Sequence, residues 1–353
     1  MTMEAFDVII IGGGQSALAC AYFLRRTDLS YIILDDQLYA GGAWQQAWDS
    51  LTLFSPSEYS SLPGWMMPKS QSKFPTKNEV ISYLAAYEER YKIQVRRPVE
   101  VNAVYHNGLE FELNTSAGTY RCKALISATG NWNHPIIPDV PGKEGYQGTQ
   151  LHSAHYKNAN DLIGKRVLIV GNGNSGAQIL AEVSKVATTV WAVQKEPEYL
   201  PDEVDGRVLF DIASAKYHAL QSGKDFDAKQ YSLGNIVMVP SVVDARERDV
   251  LHYRKTFQSM TPTGVIWEDG TTQDFDAIIW CTGFNPALDH LKSLGIMKDQ
   301  QIETTETKCN ALPGLYLVGY GNKTGFASAT LIGVSRSARS TVNDIIEHLK
   351  HTK

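Results

Sequence analysis

No C-x-x-C pair occurs in this chain; its four cysteines, Cys20, Cys122, Cys281 and Cys309, are scattered singly. That excludes a local redox dithiol and a zinc ribbon, and no metal cluster is indicated. Lone thiols of this kind serve as small core hydrophobes and suit a reducing compartment. An excess of one charge is also missing. The formal net charge is -5, so neither nucleic acid nor an anionic membrane is indicated as a partner. No apolar run reaches the ~20 residues of a membrane span. The run at 8–24 is interrupted by Gly12, Gly13 and Gly14, and the acids Glu4 and Asp7 stand where a signal peptide has a basic leader. The expectation is a cytoplasmic protein. With 353 residues, 43% of them hydrophobic and 20% charged, the chain can build two domains with full cores.

What is present is one plan used twice. Residues 7–11, Asp7-Val8-Ile9-Ile10-Ile11, form the β-branched run of a buried parallel strand. Gly12-Gly13-Gly14-Gln15-Ser16-Ala17 follows, then a helical stretch at 17–26 and a strand at 31–34 that stops at Asp35. This is a βαβ dinucleotide unit. Gly12 permits the tight turn, Gly14 lets backbone approach a pyrophosphate, and Ala17 allows close helix–strand packing. The helix start presents free N–H groups to phosphate. Asp35 lies 23 positions after Gly12, where a carboxylate holds ribose hydroxyls. The second copy has a strand at 166–170, the full G-x-G-x-x-G of Gly171, Asn172, Gly173, Asn174, Ser175 and Gly176, a helix at 177–185 and a strand at 190–193. Gln194 again stands 23 positions after the first glycine.

Each copy also feeds a similar tripeptide. Strands at 99–105, 109–114 and 119–127 lead to Ala128-Thr129-Gly130, and a hairpin of 264–267 with 275–280 around Asp269-Gly270 leads to Cys281-Thr282-Gly283. The expected fold is α/β, with two Rossmann-like dinucleotide-binding domains that each carry a β-meander insertion. One comprises residues 1–155 with 290–353, the other 156–289. Further helices are expected at 78–91, capped by Asn78, at 206–222, and at 327–349 with a break near Gly333. Residues 224–234 read as a polar loop.

Between the glycine loops, Tyr146, Gly148, His152 and Tyr156 carry the spacing F-x-G-x-x-x-H-x-x-x-Y, with tyrosine replacing the first phenylalanine. Gly41-Gly42-Ala43-Trp44 matches G-G-x-W. On these motifs and both glycine loops the chain resembles the bacterial flavin-containing monooxygenases, especially the short class B type that accepts NADH or NADPH. The resemblance implies FAD in the first domain and NADPH or NADH in the second. Hydride would pass from nicotinamide to flavin. Molecular oxygen would add at flavin carbon 4a as a hydroperoxide. One oxygen atom would go to a sulfide by sulfoxidation, to an amine, or into a ketone by Baeyer–Villiger insertion. Carried over as FAD-binding are Gly12, Gly14, Ser16, Asp35, Gln37, Gly42, Trp44, Val101, Ala128, Thr129, Gly130, Asn322 and Leu331, with Asn322 standing where the common pattern has aspartate. Carried over as NAD(P)H-binding are Gly171, Gly173, Asn174, Ser175, Gly176, Gln194, Lys195, Cys281, Thr282 and Gly283. Phe54, His152 and Tyr156 would border the chemistry. For His152 and His155 a hydrogen-bonded structural role is favoured over proton transfer, and Tyr156 suits the domain junction and the nicotinamide site rather than chemistry. The partners implied are a small organic substrate and oxygen, with a homodimer as a further expectation.

Two departures matter. Gln194 and Lys195 stand where an acid would select NAD and an arginine NADP, which predicts use of both dinucleotides. Phe54 aligns with an asparagine of the larger family members. A phenyl ring donates no hydrogen bond, so oxygenation should be slower and more NAD(P)H wasted; an ordinary core aromatic is the other reading of Phe54. Competing readings of the chain are an NAD(P)H oxidase, a quinone-type flavoprotein reductase, and a non-catalytic redox sensor binding FAD and NAD.

Overall fold

β-branched runs become the parallel centres of two sheets in the computed structural model, which describes residues 3–222, 234–325 and 327–351. Two compact units result. One comprises residues 1–45, 56–134 and 285–353; the other comprises 46–55 and 135–284.

In the first unit, Glu4–Ile11 is flanked in parallel by Tyr31–Leu34 and by Gly118–Ser127. Val8, Ile9 and Ile10 have no exposed surface, as a strand covered on both faces requires. Val95–Arg96 extends the sheet on one side, Leu315–Leu317 on the other. The meander is formed by Val101–His106, Phe111–Thr115 and Gly118–Ser127, paired antiparallel. Helix Gln15–Leu24 begins two residues earlier than its apolar run suggests. Helix Lys77–Tyr91 is capped by Thr76, not by Asn78. The Thr76 side chain accepts from the Glu79 N–H and the Glu79 carboxylate accepts from the Thr76 N–H, a reciprocal box that outcompetes a lone asparagine two residues on. The last helix is Val334–His351; residues 327–333 are turns rather than its first part.

In the second unit, five strands run parallel in the order Tyr253–Lys255, Thr188–Val193, Arg166–Val170, Ala277–Trp280 and Thr149–His152. Thr149–His152, placed by the sequence with the first domain, pairs in register with Ala277–Trp280 here. The hairpin stops at Thr272–Asp274, which pairs with Gly264–Ile266, and Ala277–Trp280 belongs to the parallel sheet. Its four residues are all buried, because a central strand is covered on both faces. Helix Gly206–Gln221 is capped by Asp205, whose Oδ1 accepts from the Arg207 N–H at 2.9 Å. Helix Pro240–Glu247 is an element not expected from the sequence, although Pro240 at its first position is a start signal. Of the loop expected at 224–234, only Gly234 lies among the described residues. Among those residues no helix is long and apolar enough to cross a membrane.

Candidate active site and cofactor cradles

The two glycine loops are built alike down to individual atoms. Gly12 has φ +96°, and a Cβ there would lie 2.7 Å from the Ala128 carbonyl oxygen. Gly171 has φ +131°, and a Cβ would lie 2.2 Å from the Cys281 carbonyl oxygen. So in each unit the first glycine is required by the backbone of the matching tripeptide. The second glycine differs in kind. A Cβ at Gly14 or Gly173 would meet nothing within 4 Å, so the space there is left for something else. Both are N-cap residues in extended conformation, and neither helix start receives a side-chain cap. Free N–H groups and an open approach are what a pyrophosphate needs, so both loops fit a dinucleotide.

The tripeptides share a clasp. Thr129 Oγ1 donates to the Ala287 carbonyl at 2.6 Å, and the Ala287 N–H donates to the Gly130 carbonyl at 2.9 Å. In the other unit Thr282 Oγ1 donates to the Ile136 carbonyl, and the Ile136 N–H donates to the Gly283 carbonyl at 2.9 Å. Gly130 and Gly283 both have positive φ with open space around a Cβ. The first clasp has an addition that the sequence did not announce. The Tyr320 hydroxyl accepts from the Thr129 N–H at 3.3 Å and lies 2.7 Å from Ser127 Oγ, which in turn shares a hydrogen bond with His290 Nε2 at 3.1 Å.

Around the first loop the structure gathers most of the expected FAD residues. Gly42 has φ +53°, and a Cβ would sit 2.8 Å from the Gly14 Cα. Trp44 Nε1 donates to Gln15 Oε1 at 3.0 Å, and Gln15 Nε2 donates to the Ala329 carbonyl at 2.6 Å. Ser16 is buried against Gly319, where a Cβ would come 2.1 Å from Ser16 Oγ. Gln37 follows the strand end, Val101 opens the meander, buried Leu331 precedes the last helix, and Asn322 lies in the single turn Gly321–Thr324.

Asp35 is more deeply engaged than a ribose carboxylate alone would be. It is 2% exposed; Oδ1 accepts from the Gly13 N–H at 3.1 Å and Oδ2 from Arg97 Nε at 2.8 Å. The rest of the Arg97 guanidinium forms a two-pronged pair with Glu88, both bonds 2.7 Å. Burial pushes the Asp35 carboxyl above its ordinary range, and Arg97 opposes that shift. Arg97 was not singled out from the sequence. Arg97→Leu would strand two carboxylates whose side chains are 3% and 12% exposed. Destabilisation of about 3–5 kcal/mol is expected, read as a fall in urea midpoint, because removing one partner of a buried pair leaves uncompensated charge. An unchanged midpoint would contradict it.

In the second unit, Asn174 is occupied. Its Oδ1 accepts from the Val237 N–H at 2.8 Å and its Nδ2 donates to the Asn235 carbonyl at 3.0 Å, which leaves its backbone for a phosphate. Trp191 Nε1 donates to the Gly171 carbonyl at 2.7 Å and backs the loop. Ser175 and Gly176 continue the helix start. Gln194 and Lys195 are exposed at the end of Thr188–Val193, where a ribose 2′ position would lie.

The residues expected at the chemistry are also in this unit. His152 is 1% exposed and its Nδ1 accepts from the Ala154 N–H at 3.1 Å, so the proton sits on Nε2. Burial lowers its pKa to about 4, and the ring stays neutral. His155 is exposed. Tyr156 is 1% exposed and donates its hydroxyl to Glu182 Oε1 at 2.8 Å. Phe54 is half-buried, its ring centroid 6.2 Å from that of Phe210. All four cysteines are free and buried, and burial raises the thiol pKa of Cys20, Cys122 and Cys281.

Residues 9–319 match the family described as pyridine nucleotide-disulphide oxidoreductase. A solved flavin-containing monooxygenase from Stenotrophomonas maltophilia is 48% identical with a TM-score of 0.90, covering 98% of this chain and 100% of that one. The uncharacterized oxidoreductase CzcO of Bacillus subtilis is 31% identical, over 96% of this chain and 99% of its own length. The indole-3-pyruvate monooxygenase YUCCA4 of Oryza sativa subsp. japonica is 25% identical, over 97% of this chain and 87% of its own length.

Proposed function

The chain belongs to the pyridine nucleotide-disulphide oxidoreductase family and, within it, to the flavin-containing monooxygenases, and from that premise we propose that it oxygenates small organic sulfides, amines or ketones at the expense of NADPH or NADH. The observation that carries the reading is the pair of cradles in one chain, each open at its second glycine above an uncapped helix start. A cysteine pair, which disulfide chemistry would need, is not available among four buried single thiols.

When bound, FAD supplies hydride acceptance and oxygen activation. The residues of this chain bind and orient. Helix Gln15–Leu24 offers its first N–H groups to the FAD pyrophosphate, Asp35 meets the ribose while Arg97 holds its carboxylate, and the Thr129 clasp fixes the backbone that passes the nucleotide. Helix Asn174–Val183 does the same for NAD(P)H. Exposed Gln194 offers hydrogen bonds to a ribose hydroxyl, and exposed Lys195 offers charge to a 2′-phosphate. Phe54, beside Phe210, contributes apolar wall to the oxygen pocket, which keeps water from the reacting centre.

The test is aerobic turnover of the FAD-loaded protein with methyl phenyl sulfide, NADH and NADPH in parallel, counting sulfoxide per cofactor consumed. Sulfoxide with both donors is expected, with kcat/KM values within about a hundredfold, equivalent to ~2.7 kcal/mol. A larger preference would overturn dual use. Peroxide without oxygenated product, from ketones and amines as well, would replace the reading with an oxidase or quinone-type reductase.

A further inference from the structure

The last residue of the fingerprint and the two that follow it hold the segment that carries Phe54. Tyr156 donates to one oxygen of Glu182, and Ser50 donates to the other. Beside this shared carboxylate, the Asp49 N–H donates to the Lys157 carbonyl at 2.8 Å and Asn158 Nδ2 donates to Asp49 Oδ2 at 3.0 Å. The Lys157 ammonium donates to the Gln46 carbonyl. Segment 46–50 is thus tied to 156–158 and to helix Asn174–Val183. At its other end the contact is different. The Gly206 N–H donates to the Phe54 carbonyl at 2.8 Å, and a Cβ at Gly206 would lie 2.6 Å from Ser55 Cβ and 2.9 Å from Phe54 Cδ2. Any side chain there would collide with Ser55 and with the ring.

We propose that Glu182 and Gly206 are positioning residues of the oxygenation: Glu182 joins Tyr156 to segment 46–55, Gly206 leaves room for the Phe54 ring, and together they set where that ring stands. The proposal rests on the reading of Phe54 as pocket wall. It gives the fingerprint tyrosine a role without proton transfer. Burial and the neighbouring Glu182 raise the phenol pKa, so the hydroxyl remains a donor. A carboxylate accepting two hydroxyl bonds is satisfied and stays in place. Neither Glu182 nor Gly206 touches reacting atoms in this scheme.

The experiment uses full-length, FAD-loaded protein with four substitutions: Glu182→Ala, Glu182→Gln, Gly206→Ala and Phe54→Ala. Amide hydrogen exchange across 46–55 is measured beside sulfoxide formed per NADPH. In Glu182→Ala the amides of 46–55 should exchange about tenfold faster or more, the loss of charge-assisted hydrogen bonds. Sulfoxide per NADPH should fall toward the Phe54→Ala value while flavin content is retained. Glu182→Gln, which keeps an acceptor oxygen, should recover most of both and serves if the alanine variant fails to fold. Gly206→Ala should lower the product ratio with little change in exchange at 46–50, since it crowds Ser55 and the ring without loosening that end. Unchanged exchange in both Glu182 variants would overturn the clamp. Faster exchange with an unchanged product ratio, where Phe54→Ala does lower it, would overturn the positioning role. A product ratio that Phe54→Ala itself leaves unchanged would remove the reading of Phe54 and the proposal with it.

Discussion

Gly14→Val should yield a folded, colourless protein, and Gly173→Val a yellow one that NAD(P)H reduces poorly. The two sites are unusual in that a Cβ would meet no protein atom within 4 Å and that their φ values, −82° and −103°, suit any residue. Substitution there should cost the fold little. A bound pyrophosphate has no such freedom: it must approach the backbone closely, and a branched side chain fills that approach. A loss of affinity of about a thousandfold, ~4 kcal/mol, is expected at each loop for its own dinucleotide. Isothermal titration of the apoprotein with FAD, and stopped-flow reduction of the FAD-loaded protein by NADPH, read the two separately. Gly12→Ala and Gly171→Ala are the contrast. Both require positive φ and both would collide with a carbonyl oxygen, so they should lower the melting temperature of the apoprotein. A Gly14→Val protein that retains flavin would refute the assignment of the first loop. One that unfolds would refute the claim that its space is reserved for ligand.

Acid should unfold the protein between pH 6.5 and 4, ahead of the loss of the Asp276–Arg166 ion pair. Each unit encloses a neutral histidine: His290, 7% exposed, in the first and His152, 1% exposed, in the second. Burial depresses both to about 4. The unfolded chain, with an ordinary histidine pKa of about 6.5, takes up the proton first. The stabilisation is therefore complete above pH 6.5 and is lost as pH falls through the folded value. Each histidine contributes roughly 3 kcal/mol over that window. Asp276, held at about 2 by Arg166, titrates only below it. Urea unfolding at pH 7.5 and 4.5 checks the slope, and His290→Asn and His152→Asn should each flatten it. An unaltered slope in both variants would show that the acid sensitivity lies elsewhere.

The elements legible in the sequence are those whose signal is local. The two strand–glycine–helix runs, the meanders and both tripeptides were placed because alternation, β-branching and glycine spacing are written within about 30 consecutive residues. Boundaries failed where neighbours compete. Thr76 and Glu79 captured the cap expected of Asn78. The hairpin expected at 275–280 ended at Asp274, because Ala277–Trp280 finds parallel partners on both sides. The start of helix Pro240–Glu247 was readable in Pro240, but the surrounding pattern was too irregular to prompt it.

By itself the sequence determined that two dinucleotide cradles exist and where their glycines stand, since steric permission for positive φ and close backbone approach belongs to the residue type. Only the tertiary structure decided what steadies those cradles. Arg97 reaches Asp35 across 62 positions, Tyr320 reaches Ser127 across 193, and Ser50 reaches Glu182 across 132. Such pairs leave no periodic trace in the chain. Their partners are chosen by which strands adjoin and which side chains burial forces to find a hydrogen bond.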